Sequence, residues 1–162
     1  MKRVLLAGCG DIGARLAGHY QEQGAEVYGL RRRVDRLPPA VLPVAADLSD
    51  PASIPSLPRE LDVVFVTLTA DHFSAAAYRR AYVEGTRNLL RALRDLDRPP
   101  RRVVFASSTS VYGQRDGEWV DEDSPTRPAG FSGQCMLEAE GLVRASPVPG
   151  IVVRLGGIYG GS

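Results

Sequence analysis

The chain of 162 residues predicts an α/β fold in which a parallel sheet is wound with helices on both faces. Three observations carry that expectation. The run Val4-Leu5-Leu6-Ala7 leads into Gly8, Gly10 and Gly13, and Ile12, Leu16 and Tyr20 then recur four apart: strand, tight turn, helix. Further short apolar runs alternate with helical periodicity or crossovers, giving six predicted strands. Leu61 to Leu68 is nearly continuously apolar, as suits a parallel strand buried on both faces. Right-handed crossovers then allow a Rossmann-type, doubly wound sheet in the order 3-2-1-4-5-6, its ligand edge beside the first strand.

The totals fit one domain and exclude several partners. A length of 162 residues can bury a real core as a single dinucleotide-binding domain. At 44% hydrophobic and 24% charged, with a net charge of +1, nothing points to nucleic acid or a membrane surface. No apolar run is long enough for a membrane span, and the N-terminus lacks a signal-peptide pattern. Cys9 and Cys135 are too few for a disulfide framework, so a cytoplasmic protein with reduced thiols is expected. Cys9, in the glycine loop, reads as a small filler residue rather than a reactive thiol.

Each element has its own signal. The first strand is Arg3 to Ala7, and the first helix runs from Asp11 to Gln23 and stops at Gly24. Glu26 to Leu30 is the second strand and ends in Arg31-Arg32-Arg33. Val41 to Ala46 is the third, followed by Asp47-Leu48. Asp50-Pro51 reads as a cap and first helical position, but Pro55 and Pro58 allow a turn or two at most. After the fourth strand, Leu61 to Leu68, the segment Phe73 to Leu96 is the longest helix, with Tyr78, Tyr82, Gly85, Leu89 and Leu93 on one face. Arg102 to Ala106 is the fifth strand and enters Ser107-Ser108-Thr109-Ser110-Val111-Tyr112-Gly113. Gln114 to Gly130 is a long loop of the length that usually carries function. Ser132 to Arg144 is a further helix, and Ile151 to Leu155 the sixth strand.

The glycine turn points to a dinucleotide. Gly8 permits the sharp turn, Gly10 lets the backbone approach a pyrophosphate, and Gly13 lets the helix pack on the strand. The helix N-terminus that follows, Asp11 and Ile12 onward, offers unpaired N–H groups and a positive dipole end. The strand ends gather Gly8, Arg31, Asp47, Thr67 and Ser107 on one edge. An acidic residue after the second strand would hold the ribose hydroxyls of NAD, whereas arginine accommodates the 2′-phosphate of NADP. The first acidic residue there is Asp35, so Arg31 and Arg32 favour NADP over NAD. The alternative is a solvated basic turn.

In combination, Gly8-Cys9-Gly10-Asp11-Ile12-Gly13, Asp47-Leu48, Val83-Glu84-Gly85-Thr86, Ser107 to Gly113 and Arg154-Leu155-Gly156-Gly157-Ile158-Tyr159-Gly160 resemble the extended short-chain dehydrogenase/reductases, the NAD-dependent epimerase/dehydratase family. Many of these act on nucleotide sugars. The resemblance implies that Asp47 meets the adenine amino group, that Leu48 lines the adenine pocket and that Ser108 is the serine bonded to the reacting substrate oxygen. The family's Tyr-x-x-x-Lys pair is not matched: Ser132 takes the tyrosine place, Met136 the lysine place, and Lys2 is the only lysine in the chain. A phenol needs a nearby positive charge to work at neutral pH. Tyr82 stands where the family usually has asparagine. The chain therefore looks like an atypical member. The family continues beyond this point into a smaller substrate domain, which is expected to be absent or truncated here. A homodimer through the Tyr78–Leu93 and Ser132–Arg144 helices is implied by the same analogy.

Two functions follow as expectations. One is an NAD(P)-dependent oxidoreductase or epimerase with a non-standard catalytic set, acting on a nucleotide sugar or a related carbonyl or alcohol. The other is a non-catalytic NAD(P)-binding sensor or interaction module. Ser108 also reads as a turn residue. His19 and His72 lack metal-ligand spacing, and Asp121-Glu122-Asp123 reads as a solvated loop, so no metal site is expected. Trp119 is either a lid or an anchor of the long loop.

Overall fold

A computed structural model describes residues 1–114 and 116–159. Gly160 of the terminal motif lies outside the described residues. Six parallel strands form one sheet in the order β3-β2-β1-β4-β5-β6, so the expected topology is found. The strands are β1 (Arg3–Ala7), β2 (Glu26–Arg31), β3 (Leu42–Ala45), β4 (Val63–Val66), β5 (Arg102–Ser108) and β6 (Gly150–Leu155). The chain steps outward from β1 through β2 to β3, then returns to the other side of β1 as β4. That reversal opens a crevice above the carboxyl ends of β1, β2 and β4, where Ala7 is level with Leu30 and Val66.

The central strands are apolar because both their faces are covered. Val4, Leu5, Leu6 and Ala7 are all fully buried. On one face Val4, Leu6 and Val27 pack against Leu16, Ala17 and Tyr20 of α1 (Asp11–Glu22). On the other, Leu5, Val64, Val66 and Phe105 meet Leu89 and Leu93 of α3 (Gly85–Arg94) and Met136, Ala139 and Val143 of α4 (Phe131–Ala145). At roughly 1.5–3 kcal/mol per fully buried large apolar side chain, these two clusters are the dominant stabilising contribution.

Asp50 accepts a hydrogen bond from the Ala52 amide and starts a single short turn, Pro51–Ser53, as its prolines require. The predicted long helix is not uniform. α2 (Ala75–Tyr78) passes through a wider π-type turn, Arg79–Glu84, before α3. An extra residue in that turn rotates the face. Val83 goes fully into the core together with Gly85, Leu89 and Leu93, while Tyr78 and Tyr82 stay only partly buried. Among the described residues no helix is long and apolar enough to cross a membrane.

Candidate dinucleotide site

The turn after β1 is set by backbone proximity. Gly8 has φ +91°, and a Cβ there would lie 2.5 Å from the Thr67 carbonyl oxygen. The Gly8 amide donates to Leu30 O at 2.9 Å, and Thr67 Oγ1 donates to Gly8 O at 2.9 Å. The turn is thereby fastened to β2 on one side and to the end of β4 on the other. Gly13 is buried in the first turn of α1, against Gly8 O. Gly10 differs: a Cβ there would meet nothing within 4 Å. The protein's own packing does not require glycine at that place, and the space it leaves belongs to the crevice. The amides that follow it, at Asp11, Ile12 and Gly13, are those that helix geometry leaves without intrahelical partners.

Two cavities meet at this turn. The larger, about 560 Å³, is lined by Gly8 and Gly10, Arg31 to Arg33, Asp47, Leu48, Thr67, Asp71 and Arg80. The second, about 310 Å³, holds Asp11, Ile12, Tyr78, Tyr82, Ser108, Ser110, Ser132 and Met136. Gly10, Thr67, Leu68 and Thr69 line both. All ten residues expected to contact a dinucleotide therefore lie in or beneath one continuous crevice, Gly13 beneath it.

The larger cavity is positive, with four arginines against Asp47 and Asp71. The arginines are not equivalent. Arg31 Nη1 donates to Cys9 O at 2.9 Å and to Arg36 O at 3.3 Å, so it braces the glycine turn. Arg32 forms a two-pronged ion pair with Asp71. Asp47 Oδ1 accepts from the Ser49 amide at 2.9 Å and from Ser49 Oγ at 2.7 Å, which orients its carboxylate. Asn88 Nδ2 of α3 donates to Leu48 O at 2.8 Å and fixes the next residue. Burial pushes the Cys9 thiol up against the lowering charge of Arg31, so it is a buried filler.

In the second cavity Ser108 does two things. Its Oγ accepts from the Ser110 amide at 3.1 Å, capping the turn Thr109–Val111, and it also lines the space. Ser132 and Met136 face the same space. Burial, and then the neighbouring Tyr78, push the Tyr82 phenol up and keep it protonated. The side chains gathered here supply hydroxyl groups able to hydrogen-bond a substrate oxygen.

The sequence model of the NAD dependent epimerase/dehydratase family matches residues 4–161. The chain belongs to this family. A 3-diazoavenalumate denitrifying reductase from Streptomyces is 32% identical over 176 residues, covering 98% of this chain and 57% of that protein. A proposed NAD-dependent epimerase/dehydratase from Methylobacillus flagellatus is 39% identical, with a TM-score of 0.77 over 98% of this chain and 55% of its own. A UDP-galactose 4-epimerase structure is 27% identical, with a TM-score of 0.80 over 95% of this chain and 55% of its own. The chain thus spans somewhat more than half the length of these family members.

Sequence reasoning missed Asp71, Arg80 and Glu140. Asp71 and Arg80 reach the crevice from a loop and from the π-type turn, where no periodicity marks them. Glu140 had a signal: it shares the buried face of α4 with Met136, Ala139 and Val143. The acidic loop is exposed as expected, and Asp121 Oδ1 accepts from Ser124 Oγ at 2.8 Å and from the Asp123 amide at 3.1 Å. Trp119 is 99% exposed, so it does not anchor the loop by packing.

Proposed function

We propose that this chain is the dinucleotide-binding part of an NAD(P)-dependent oxidoreductase or epimerase that prefers NADP. One observation carries the reading: the open space at Gly10 lies between the first turn of α1 and an arginine-lined cavity. In this reading Gly8, Gly10 and Gly13, with the amides of Asp11 and Ile12, take the pyrophosphate. Asp47 and Leu48 take the adenine, and Arg31 and Arg32 take the 2′-phosphate. Thr67 supports the turn from below. When bound, the nicotinamide gives or accepts a hydride. Ser108 in the second cavity hydrogen-bonds the reacting oxygen of a nucleotide sugar or a related carbonyl or alcohol. The name of the Streptomyces relative, a reductase, supports redox chemistry. Ser132 and Met136 in place of the tyrosine–lysine pair make the catalytic set atypical. We place the protein in the cytoplasm, with which two free, buried thiols agree, and its homodimer on the Tyr78–Leu93 and Ser132–Arg144 segments.

That same replacement favours a second reading, a non-catalytic NAD(P)-binding sensor. Titration of the chain with NADPH and NADH, followed by turnover with nucleotide sugars, carbonyls and alcohols, separates the two. Binding with turnover supports the enzyme; binding without turnover supports the sensor. Failure of both dinucleotides to bind rejects both readings.

A further inference from the structure

We propose that Asp71 sets the preference between NADP and NAD by competing with the ligand for Arg32, an inference that rests on the dinucleotide reading above. Arg32 follows β2 and Asp71 follows β4, the two strands that flank β1 on opposite sides. Their side chains meet over the crevice, Nη1 to Oδ2 at 2.9 Å and Nη2 to Oδ1 at 2.5 Å. Both residues line the larger cavity. The pair therefore joins the two walls between which a dinucleotide would enter.

The contact has the fork-to-fork form that guanidinium uses for carboxylate and phosphate alike. A 2′-phosphate reaching Arg32 meets both Nη atoms already bonded, and its negative charge is repelled by the carboxylate that holds them. The structure also brings an acidic group to the end of β2, where the sequence has none before Asp35. That carboxylate opposes the phosphate of NADP and places no such charge penalty on the ribose hydroxyl of NAD. Arg31 lies outside this competition, because its Nη1 donates to Cys9 O and Arg36 O rather than to Asp71. The side chains of Arg32 and Asp71 are 57% and 51% exposed, so the pair is held weakly enough to exchange.

The test is a fluorescence titration of the full chain with NADPH and with NADH, in wild type, Asp71→Asn, Arg32→Gln and the double variant. Asp71→Asn is expected to raise the ratio of NADPH to NADH affinity about two- to fivefold, the range set by an exposed ion pair. In the Arg32→Gln background the same change is expected to have no effect on the ratio, since the partner for which Asp71 competes is gone. An unchanged ratio in Asp71→Asn overturns the proposal. So does an equal rise in the Arg32→Gln background, which would mark a general effect of net charge. If wild type binds neither ligand, the dinucleotide reading itself has failed; binding of both with no change of ratio rejects only the role of Asp71.

Discussion

Glu140 of α4 is fully buried, and its Oε2 lies 2.8 Å from Arg154 Nη2 of β6. Ser107 Oγ on β5 donates to Oε1 of the same carboxylate at 2.6 Å, and Arg154 Nε does so at 3.0 Å. Arg154 Nη1 reaches on to Tyr112 Oη at 2.9 Å, and that hydroxyl donates to Asp121 O at 2.6 Å. One buried carboxylate thus ties the edge strand, its neighbour, a helix and the loop beyond Ser108 into a single network. The loop that follows Tyr112 is held through Arg154 by an ion in the core.

Removing either partner leaves the other largely buried without its main counter-charge. Glu140→Gln and Arg154→Met are each expected to destabilise the fold by about 3–5 kcal/mol, read as a fall in the urea midpoint with little change in slope. Arg144 also contacts Glu140, at 3.1 Å, but its side chain is 56% exposed. Arg144→Ala is expected to cost no more than about 1 kcal/mol. Equal costs for Arg144→Ala and Arg154→Met would contradict the assignment of the buried pair.

The same network makes stability depend on acid. Burial alone pushes the Glu140 carboxyl up, but hydrogen bonds from Arg154 and Ser107, with the charges of Arg154 and Arg144, outweigh it. Its folded value therefore lies below the ordinary carboxylate range. A depressed folded value means that the contribution is complete above the unfolded carboxylate value and is lost as pH falls through the folded one. Urea midpoints measured from neutral to acid pH are expected to converge between wild type and Glu140→Gln. A gap that stays constant through the acid range would show that Glu140 does not titrate with the fold.

How much of this was legible depends on where each contact is made. The sheet order follows from apolar runs and the glycine turn, because a strand covered on both faces must be apolar throughout. The arginines were visible as a cluster, yet the partner of Arg32 lies 39 residues away in a loop without periodicity. Their division of labour, Arg31 bracing a turn and Arg32 pairing across a crevice, is a tertiary fact. Glu140 was legible in principle, since a carboxylate on the apolar stripe of a helix demands a buried partner. The π-type turn was hidden because Leu89 and Leu93 keep ordinary helical spacing beyond it.

Ser108 carries a turn and faces the second cavity, and the two roles separate experimentally. Losing the cap in Ser108→Ala is expected to cost about 1 kcal/mol or less. Losing a hydrogen bond to a reacting oxygen is expected to lower kcat on the order of a hundredfold for the best substrate found. A small loss of stability with unchanged kcat would leave Ser108 as a turn residue alone.

Gly8 and Gly10 stand two residues apart in one turn and answer to different demands. At Gly8 a side chain meets backbone: Thr67 O at 2.5 Å, Thr67 C at 2.8 Å and Leu68 Cα at 3.0 Å, with φ +91° besides. Neither wall can yield, because the turn is bonded to Leu30 O and Thr67 Oγ1. Gly8→Ala is expected to cost on the order of 3 kcal/mol and to lower the melting temperature whether or not ligand is present. At Gly10 a side chain meets open space, and φ is −90°. Gly10→Glu is expected to keep the melting temperature of the free chain within a few degrees while abolishing the stabilisation that NADPH or NADH confers by binding the folded state. Thermal unfolding with and without each dinucleotide reads both effects. If Gly10→Glu still gains stability from NADPH as wild type does, the pyrophosphate does not lie over this turn.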